Sequence, residues 1–307
     1  LSSFACAVPS ILATRTIEDP KARLGTILVA PLMSCSARLP VYTLLIGAFI
    51  EPRFGRWWGG VTNFALYMLG LLTALPIAFV VNRFIFKLRS LPFILEMPPY
   101  RAPHPGSVVR RMWFSGREFV VRAGTVIFAI SIIIWALTSF PRPAELRAQV
   151  ERGLPATASS DERDRAVKGA LLEQSYMGRM GKAVQPVFGL AGFDWRITVA
   201  VLSAFPAREV MVSTLGILFA AEEDEQNLSL REKLASATRL DGSRLFTPWV
   251  AVAVMVFFAY CLQCGSTVAV MARESNWRWA SFAFVYMTGL AWLGAVATYQ
   301  LGQLVGA

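Results

Sequence analysis

Apolar positions in this chain fall in long continuous runs, at about 24–50, 59–86, 119–140, 185–220, 246–271 and 279–304. Each approaches or exceeds the roughly 20 residues with which a helix crosses a bilayer core. Continuous runs, as opposed to alternating ones, predict helices and argue against a β-barrel. Leu1–Ala13 reads as the tail of one more span. The runs at 24–50 and 185–220 are expected to be broken. In the first, Pro31 and Pro40 interrupt the pattern, and Arg38 is the only charged side chain between Leu24 and Ile50. Proline removes a backbone donor and so frees carbonyls. A charge at membrane depth usually faces a protein interior or an aqueous path. The segment Pro31-Leu-Met-Ser-Cys-Ser-Ala-Arg-Leu-Pro40 therefore points to a transport site.

The polar stretches between runs differ in charge. Lys87–Glu118 carries Lys87, Arg89, Arg101, Arg110, Arg111 and Arg117 against Glu96 and Glu118, which marks it as cytoplasmic by the positive-inside rule. Pro141–Lys182 mixes both signs and is placed on the opposite side. Glu222–Arg244 opens Glu-Glu-Asp-Glu, and its Lys and Arg count assigns no side. Composition supports the membrane reading: of 307 residues, 55% are hydrophobic and only 16% charged, with a mean hydropathy of +0.50. A soluble domain carries about 25% charged residues. Trp57, Trp58, Trp249, Trp277 and Trp279 lie near run ends, as interfacial belts require. The net charge of +10 then reads as membrane-surface charge and not as a nucleic-acid footprint. Cys6, Cys35, Cys261 and Cys264 all lie in apolar segments, against a disulfide framework. A chain opening on Leu1 with no signal peptide is expected to be a fragment or a processed product.

The chain resembles itself when laid on its own second half. Leu1-Ser-Ser-Phe4 matches Leu202-Ser-Ala-Phe205, each followed by small residues, a Pro (Pro9, Pro206) and an Arg (Arg15, Arg208). Cys35-Ser-Ala and Cys264-Gly-Ser are similar breaks downstream, with the acidic loop after Ala221 as the insertion that displaces the second. Repeats whose broken helices meet at the bilayer midplane are a recurring transporter plan. The second repeat begins near Gly124, and the first is expected to have lost a similar lead-in before Leu1.

These residues carry a family resemblance over nearly the whole chain. Ala5-Cys-Ala-Val-Pro-Ser-Ile-Leu-Ala-Thr-Arg-Thr-Ile-Glu18 and Pro31–Tyr42 resemble the first Gate region of the FeoB ferrous iron transporters. Phe193-Asp-Trp-Arg196, Ala207-Arg-Glu-Val210 and Leu262-Gln-Cys-Gly-Ser-Thr267 resemble the second, and Tyr286-Met-Thr-Gly289 is similar to the family's last helix. The resemblance implies an all-α, polytopic, nucleoside-transporter-like fold with two Gate repeats, expected to be inverted, and broken helices. The division would be 1–50 for the end of the first repeat and 51–118 for a linking helix with the basic loop. Residues 119–275 would be the second repeat, with polar loops 141–182 and 221–245, and 276–307 the last transmembrane helix. It further implies Fe(II) uptake across a bacterial inner membrane, regulated by a GTP-binding domain ahead of the permease. No Gly-x4-Gly-Lys-Ser/Thr occurs in this chain, so GTP and Mg belong to that other domain and this piece is not expected to be an enzyme. Implied partners are small FeoA- or FeoC-like proteins and a homo-oligomer, besides the lipid bilayer; no nucleic acid is expected. Three features depart from the family pattern: the incomplete first Gate, the extra Cys261, and Gly265 where a bulkier residue is common.

Fe(II) accepts thiolate, imidazole and carboxylate ligands. The single histidine, His104, lies in the Pro-rich polar loop, which excludes a histidine site at membrane depth. Cys35 and Cys264, one per repeat, are the leading candidates for transient ligation, with Cys6 and Glu209 beside them; the alternative for each thiol is packing as a small hydrophobe. Cys261, one helical turn from Cys264, could share its face. Glu209 is either a partner for Arg208 or Arg38, or a cation ligand or proton acceptor. Arg15, Arg38 and Arg208 are expected to clamp freed carbonyls and carboxylates, and Ser34, Ser36, Ser266 and Thr267 to support the breaks. Glu18 and Asp19 belong either to a capped helix start or to a polar mouth. A solute carrier on the same plan is the runner-up, short of polar groups beyond Asn63, Gln263 and Glu209. A membrane redox sensor using Cys35 and Cys264 is the alternative from another class.

Overall fold

The computed structural model describes residues 2–86, 102–141, 152, 167, 169–208, 210–220, 230–237 and 245–306. These residues form helices joined by short turns. The first are α1 (Ser2–Ala5), α2 (Ala7–Ala13) and α3 (Pro20–Val29). Pro20 occupies the first turn of α3, and the Asp19 carboxylate caps it by accepting from the amides of Lys21 and Ala22. Asp19 thus starts a helix, the first of the two sequence readings. A tight turn at Ala30–Leu32 ends this half-span, and α4 (Leu39–Leu45) resumes beyond the break, with Pro40 in its first turn. A π-helical turn (Ile46–Ile50) and α5 (Glu51–Phe54) complete it. Gly55, at φ 90°, turns the chain into α6 (Arg56–Val80).

Next come α7 (Pro105–Phe119) and α8 (Thr125–Ser139), continuous through a π-helical turn at Val120–Gly124. The rest is α9 (Tyr176–Gly189), α10 (Trp195–Ser203), α11 (Val210–Ala220), α12 (Leu230–Ser236), α13 (Pro248–Tyr260), α14 (Gly265–Glu274) and α15 (Trp277–Gly306). Among the described residues, four stretches are each long and apolar enough to cross a membrane, Pro20–Phe54, Arg56–Phe86, Pro248–Glu274 and Trp277–Val305, and α8 is a shorter apolar helix. Two of these, the ones containing α3–α4 and α13–α14, are the broken ones, and they form the interior. The apolar window of α13–α14 is 83% buried, against 22% for α6. A helix apolar all round is central, and α6 and α15 cover it toward lipid.

Contacts at the ends give each element a direction. At one face, Arg15 after α2, Arg23 of α3, Glu274 of α14 and Glu118 of α7 meet, and Phe86 packs on Trp279 with ring centroids 5.5 Å apart. At the other, Phe49 stacks on Phe246 at 5.5 Å, Trp249 covers Gly302, and Arg231 of α12 lies over Gly47. Thus α3–α4 runs from the Glu274 face to the Trp249 face and α13–α14 runs the opposite way: the repeats are inverted, as expected. The 185–220 run resolves into the end of α9 and a hairpin, α10–α11, that enters from the Trp249 face, turns at 204–208 and returns. Two short half-helices replace one span because Pro206 cannot continue the ladder. The polar 221–245 segment, whose side the sequence left open, holds α12 at the Trp249 face.

Candidate functional site

Four interruptions converge at the centre of the molecule: Cys6 between α1 and α2, Met33–Cys35 between α3 and α4, Ala204–Arg208 between α10 and α11, and Cys261–Cys264 between α13 and α14. They enclose a cavity of about 150 Å³. Its wall takes Cys6, Cys35 and Cys264 from three of the breaks and Arg208 from the fourth, with Met33, Ser266 and Thr267 beside them. Cys35 and Cys264, the pair matched by the repeat, therefore open onto one space. Each stands at the residue before a helical segment restarts, as does Cys6, and none of the three makes a side-chain cap. The Cys264 sulfur lies 3.1 Å from the Ser266 hydroxyl. All four cysteines are unpaired.

Broken helices leave carbonyls that normally receive an amide four residues on. Here other groups take them. Pro9 has no N–H to offer Ala5, and the Ser36 hydroxyl donates to the Ala5 carbonyl instead at 3.0 Å. The Pro31 carbonyl, which the Cys35 amide would meet in an intact helix, accepts from Arg38 Nη2 at 3.4 Å, while Arg38 Nη1 donates to Ser34 Oγ at 2.9 Å. Arg208 donates to the carbonyls of Phe258 (3.3 Å) and Cys261 (2.8 Å), whose helical partners would be Leu262 and Gly265. The displaced Gly265 amide donates to the Phe205 carbonyl at 2.9 Å, and Gln263 Nε2 to Val201 at 2.8 Å. Arg38 is wholly buried and Arg208 nearly so. Their charges serve these carbonyls, which are therefore less open to a metal ion than the prolines alone suggested.

Gly70 allows α6 to pass this region, since a Cβ there would sit 3.0 Å from the Leu32 carbonyl and 3.1 Å from Ser34 Oγ. Cys261 is buried but absent from the cavity wall. The shared-face expectation assumed helical spacing, whereas Cys261 (ψ 137°) and Cys264 (φ −157°, ψ 100°) are in extended backbone. Glu209 lies outside the described residues. Among the described residues, no three His, Cys, Asp or Glu side chains group as a cage for a metal ion.

α2 and α14, one from each repeat, pack against each other and lead from the cavity to the Glu274 face. There Arg15 binds Glu274 through Nε (3.0 Å) and Nη2 (2.5 Å) and Glu118 through Nη1 (3.1 Å), and Arg23 binds Glu274 at 2.5 Å. The hydrogen bond to Glu274 holds the Arg15 guanidinium above its usual range, with the Glu118 contact adding to it. Sequence reading had no signal for Glu274 or Arg23, whose roles follow only from the inverted packing. It also missed Ile127 of α8, which adds an apolar wall to the cavity.

Comparison with known proteins follows the same division. The Gate family, described as Nucleoside recognition, matches residues 120–278, and the Ferrous iron transport protein B C terminus family matches 63–114. An Fe(2+) transport protein A/Fe(2+) transporter FeoB fusion protein from Porphyromonas gingivalis is 40% identical over 99% of this chain and 37% of its own length. The Fe(2+) transporter FeoB of Leptospira biflexa is 38% identical over 100% of this chain and 42% of its own. That of Helicobacter pylori is 30% identical over 99% and 48%. The chain thus spans less than half the length of these relatives. No solved structure matches it.

Proposed function

Because the chain belongs to the ferrous iron transport protein B (FeoB) family, over that family's C-terminal membrane region, we propose that it is the permease portion of a GTP-regulated Fe(II) importer. The carrying observation is the convergence of three thiols from three helix breaks on one cavity between the inverted repeats. Fe(II) is borderline in softness and binds thiolates well. A cavity of about 150 Å³ holds a partly hydrated ion, water occupying about 30 Å³ a molecule. Cys35 and Cys264 hold the ion in passing, with Cys6 and Glu209 as further ligands and water completing the shell. Arg208 at the wall repels the cation, which keeps binding weak enough for release. The path then follows the seam of α2 and α14 to the Glu274 face, closed there by Arg15 and Glu274.

By the positive-inside rule the basic 87–118 segment makes the Glu274 face cytoplasmic, so the cargo moves inward across a bacterial inner membrane. Residues 1–50 and 119–275 act as the two Gate repeats. A GTP-binding domain ahead of them, FeoA- or FeoC-like proteins and self-association would act from that side. The solute-carrier reading is weaker here, because neither Gln263 nor Asn63 is in the wall.

Initial uptake of radiolabelled Fe(II) into proteoliposomes tests the reading. C35S and C264S should each slow uptake about tenfold or more, the loss expected when a soft ligand is replaced by a poorer one. C261S should leave it near wild type. Undiminished flux in C35S and C264S would overturn the thiol path, and loss of only an oxidant response would favour the redox sensor.

A further inference from the structure

We infer that α7 is an interfacial helix that binds anionic phospholipid headgroups in the leaflet at the Glu274 face. The inference is independent of the iron path and needs only that the chain spans a membrane. Its first support is the pattern along the helix. At 100° per residue, Val108, Val109, Met112 and Trp113 share one side of α7, while Arg110, Arg111 and Arg117 share the other, with Phe114 the one large apolar residue among them. Basic residues opposite an aromatic and aliphatic stripe define a helix that lies on a membrane surface.

The second support is depth. Glu118, in the last turn of α7, binds Arg15, which binds Glu274 at the foot of α14, and Trp277 and Trp279 open α15 next to it. Glu118 therefore marks the membrane surface. Beyond it, the π-helical turn and α8 supply 5 and 15 residues, about 30 Å of helix and enough to cross the hydrocarbon. All 15 residues of α7 are left outside the core.

The third support is exposure. Val109, Met112 and Trp113 are 65%, 67% and 72% exposed, and no other helix among the described residues packs closely on α7. A 15-residue helix standing alone in water is marginal, since such helices draw their stability from packing an apolar face. The acyl boundary of the leaflet is the apolar surface contiguous with α8, and the three guanidiniums match its phosphate groups. Helices bend at π-helical turns, so the Val120–Gly124 turn allows α7 to lie along the surface. Seating α7 in this way sets the depth of α8 and hence of Ile127 in the cavity wall.

Tryptophan quenching by brominated lipids in the reconstituted chain tests the inference. The Trp113 contribution is the difference between wild type and W113F. Brominated phosphatidylglycerol should associate at Trp113 at least about fivefold more strongly than brominated phosphatidylcholine, the share of one arginine near a charged leaflet. The ratio should fall toward one in 1 M salt and in the exposed-site variant R110Q/R111Q/R117Q. A wild-type ratio near one would overturn the inference. So would a Trp113 contribution quenched by neither lipid: aqueous acrylamide would then show a helix free in water, and its failure a helix covered by protein.

Discussion

Arg208 and Arg38 hold carbonyls that a continuous helix would have given to its own amides, and this sets what their removal costs. Arg208→Ala leaves two buried carbonyls, at Phe258 and Cys261, without their charged donor. Each buried group stranded in this way costs about 1–3 kcal/mol. Thermal denaturation in detergent should register a loss of about 2–6 kcal/mol on that basis. Arg208→Lys should recover only part of it, because an ammonium cannot reproduce the planar fork that reaches both oxygens. Equal stability of wild type and both variants would show that the break persists without its clamp. The cysteines belong to the same scale. Their chemistry could be read from composition, since one histidine leaves thiols as the soft ligands at depth. Their separation could not: Cys261 and Cys264 look like neighbours on a helix face, yet extended backbone puts only Cys264 on the cavity.

Among the elements, α6 shows how a lipid-facing helix can still serve the centre. Gly70 brings it against the Leu32 carbonyl and Ser34, and Ser34 in turn receives Arg38. Gly70→Val should displace Ser34 and cost about 1–3 kcal/mol, the usual penalty of overpacking, with a matching fall in Fe(II) uptake. Gly60, ten residues earlier on the same helix, has nothing within 4 Å of a Cβ, and Gly60→Val is the control that should leave uptake unchanged. The break between α3 and α4 was legible because Pro31 and Pro40 write it into the chain, whereas the interruption at Cys6 appeared only in the structure. Pro206 likewise writes in the tip of α10–α11. The break at Cys261–Cys264 has no proline, and only cysteine spacing and Gly265 hinted at it. It exists because Arg208 and the Phe205 carbonyl compete successfully for its backbone groups, while the Gln263 side chain ties it to the Val201 carbonyl.

For the whole molecule, inversion puts His104, just before α7, and Arg231 of α12 on opposite faces. A membrane-impermeant maleimide should label His104→Cys and Arg231→Cys from opposite sides of oriented vesicles, since both positions are exposed. Labelling of both from one side would refute the inverted arrangement. The same inversion explains why Arg15 and Arg23, early in the chain, reach Glu274. One repeat's helices end where the other's begin, so ion pairs at the Glu274 face fasten the repeats together below the cavity. Arg15 is 42% exposed, but the Glu274 side chain is only 6% exposed and binds both arginines, so removing them would strand a nearly buried carboxylate where α2 meets α14.

Apolar runs, prolines and the scarcity of charge determined by themselves that this chain forms membrane-spanning helices, two of them interrupted, with cysteines inside the apolar segments. Those properties depend on each segment's own transfer free energy and backbone donors, which adjacent residues settle. Tertiary structure alone decided which thiols share a cavity, which guanidinium replaces which amide, and on which face α12 lies. Each of those requires groups far apart in the chain to meet, and the direction of each half-helix, set by packing one repeat upside down against the other, controls that meeting.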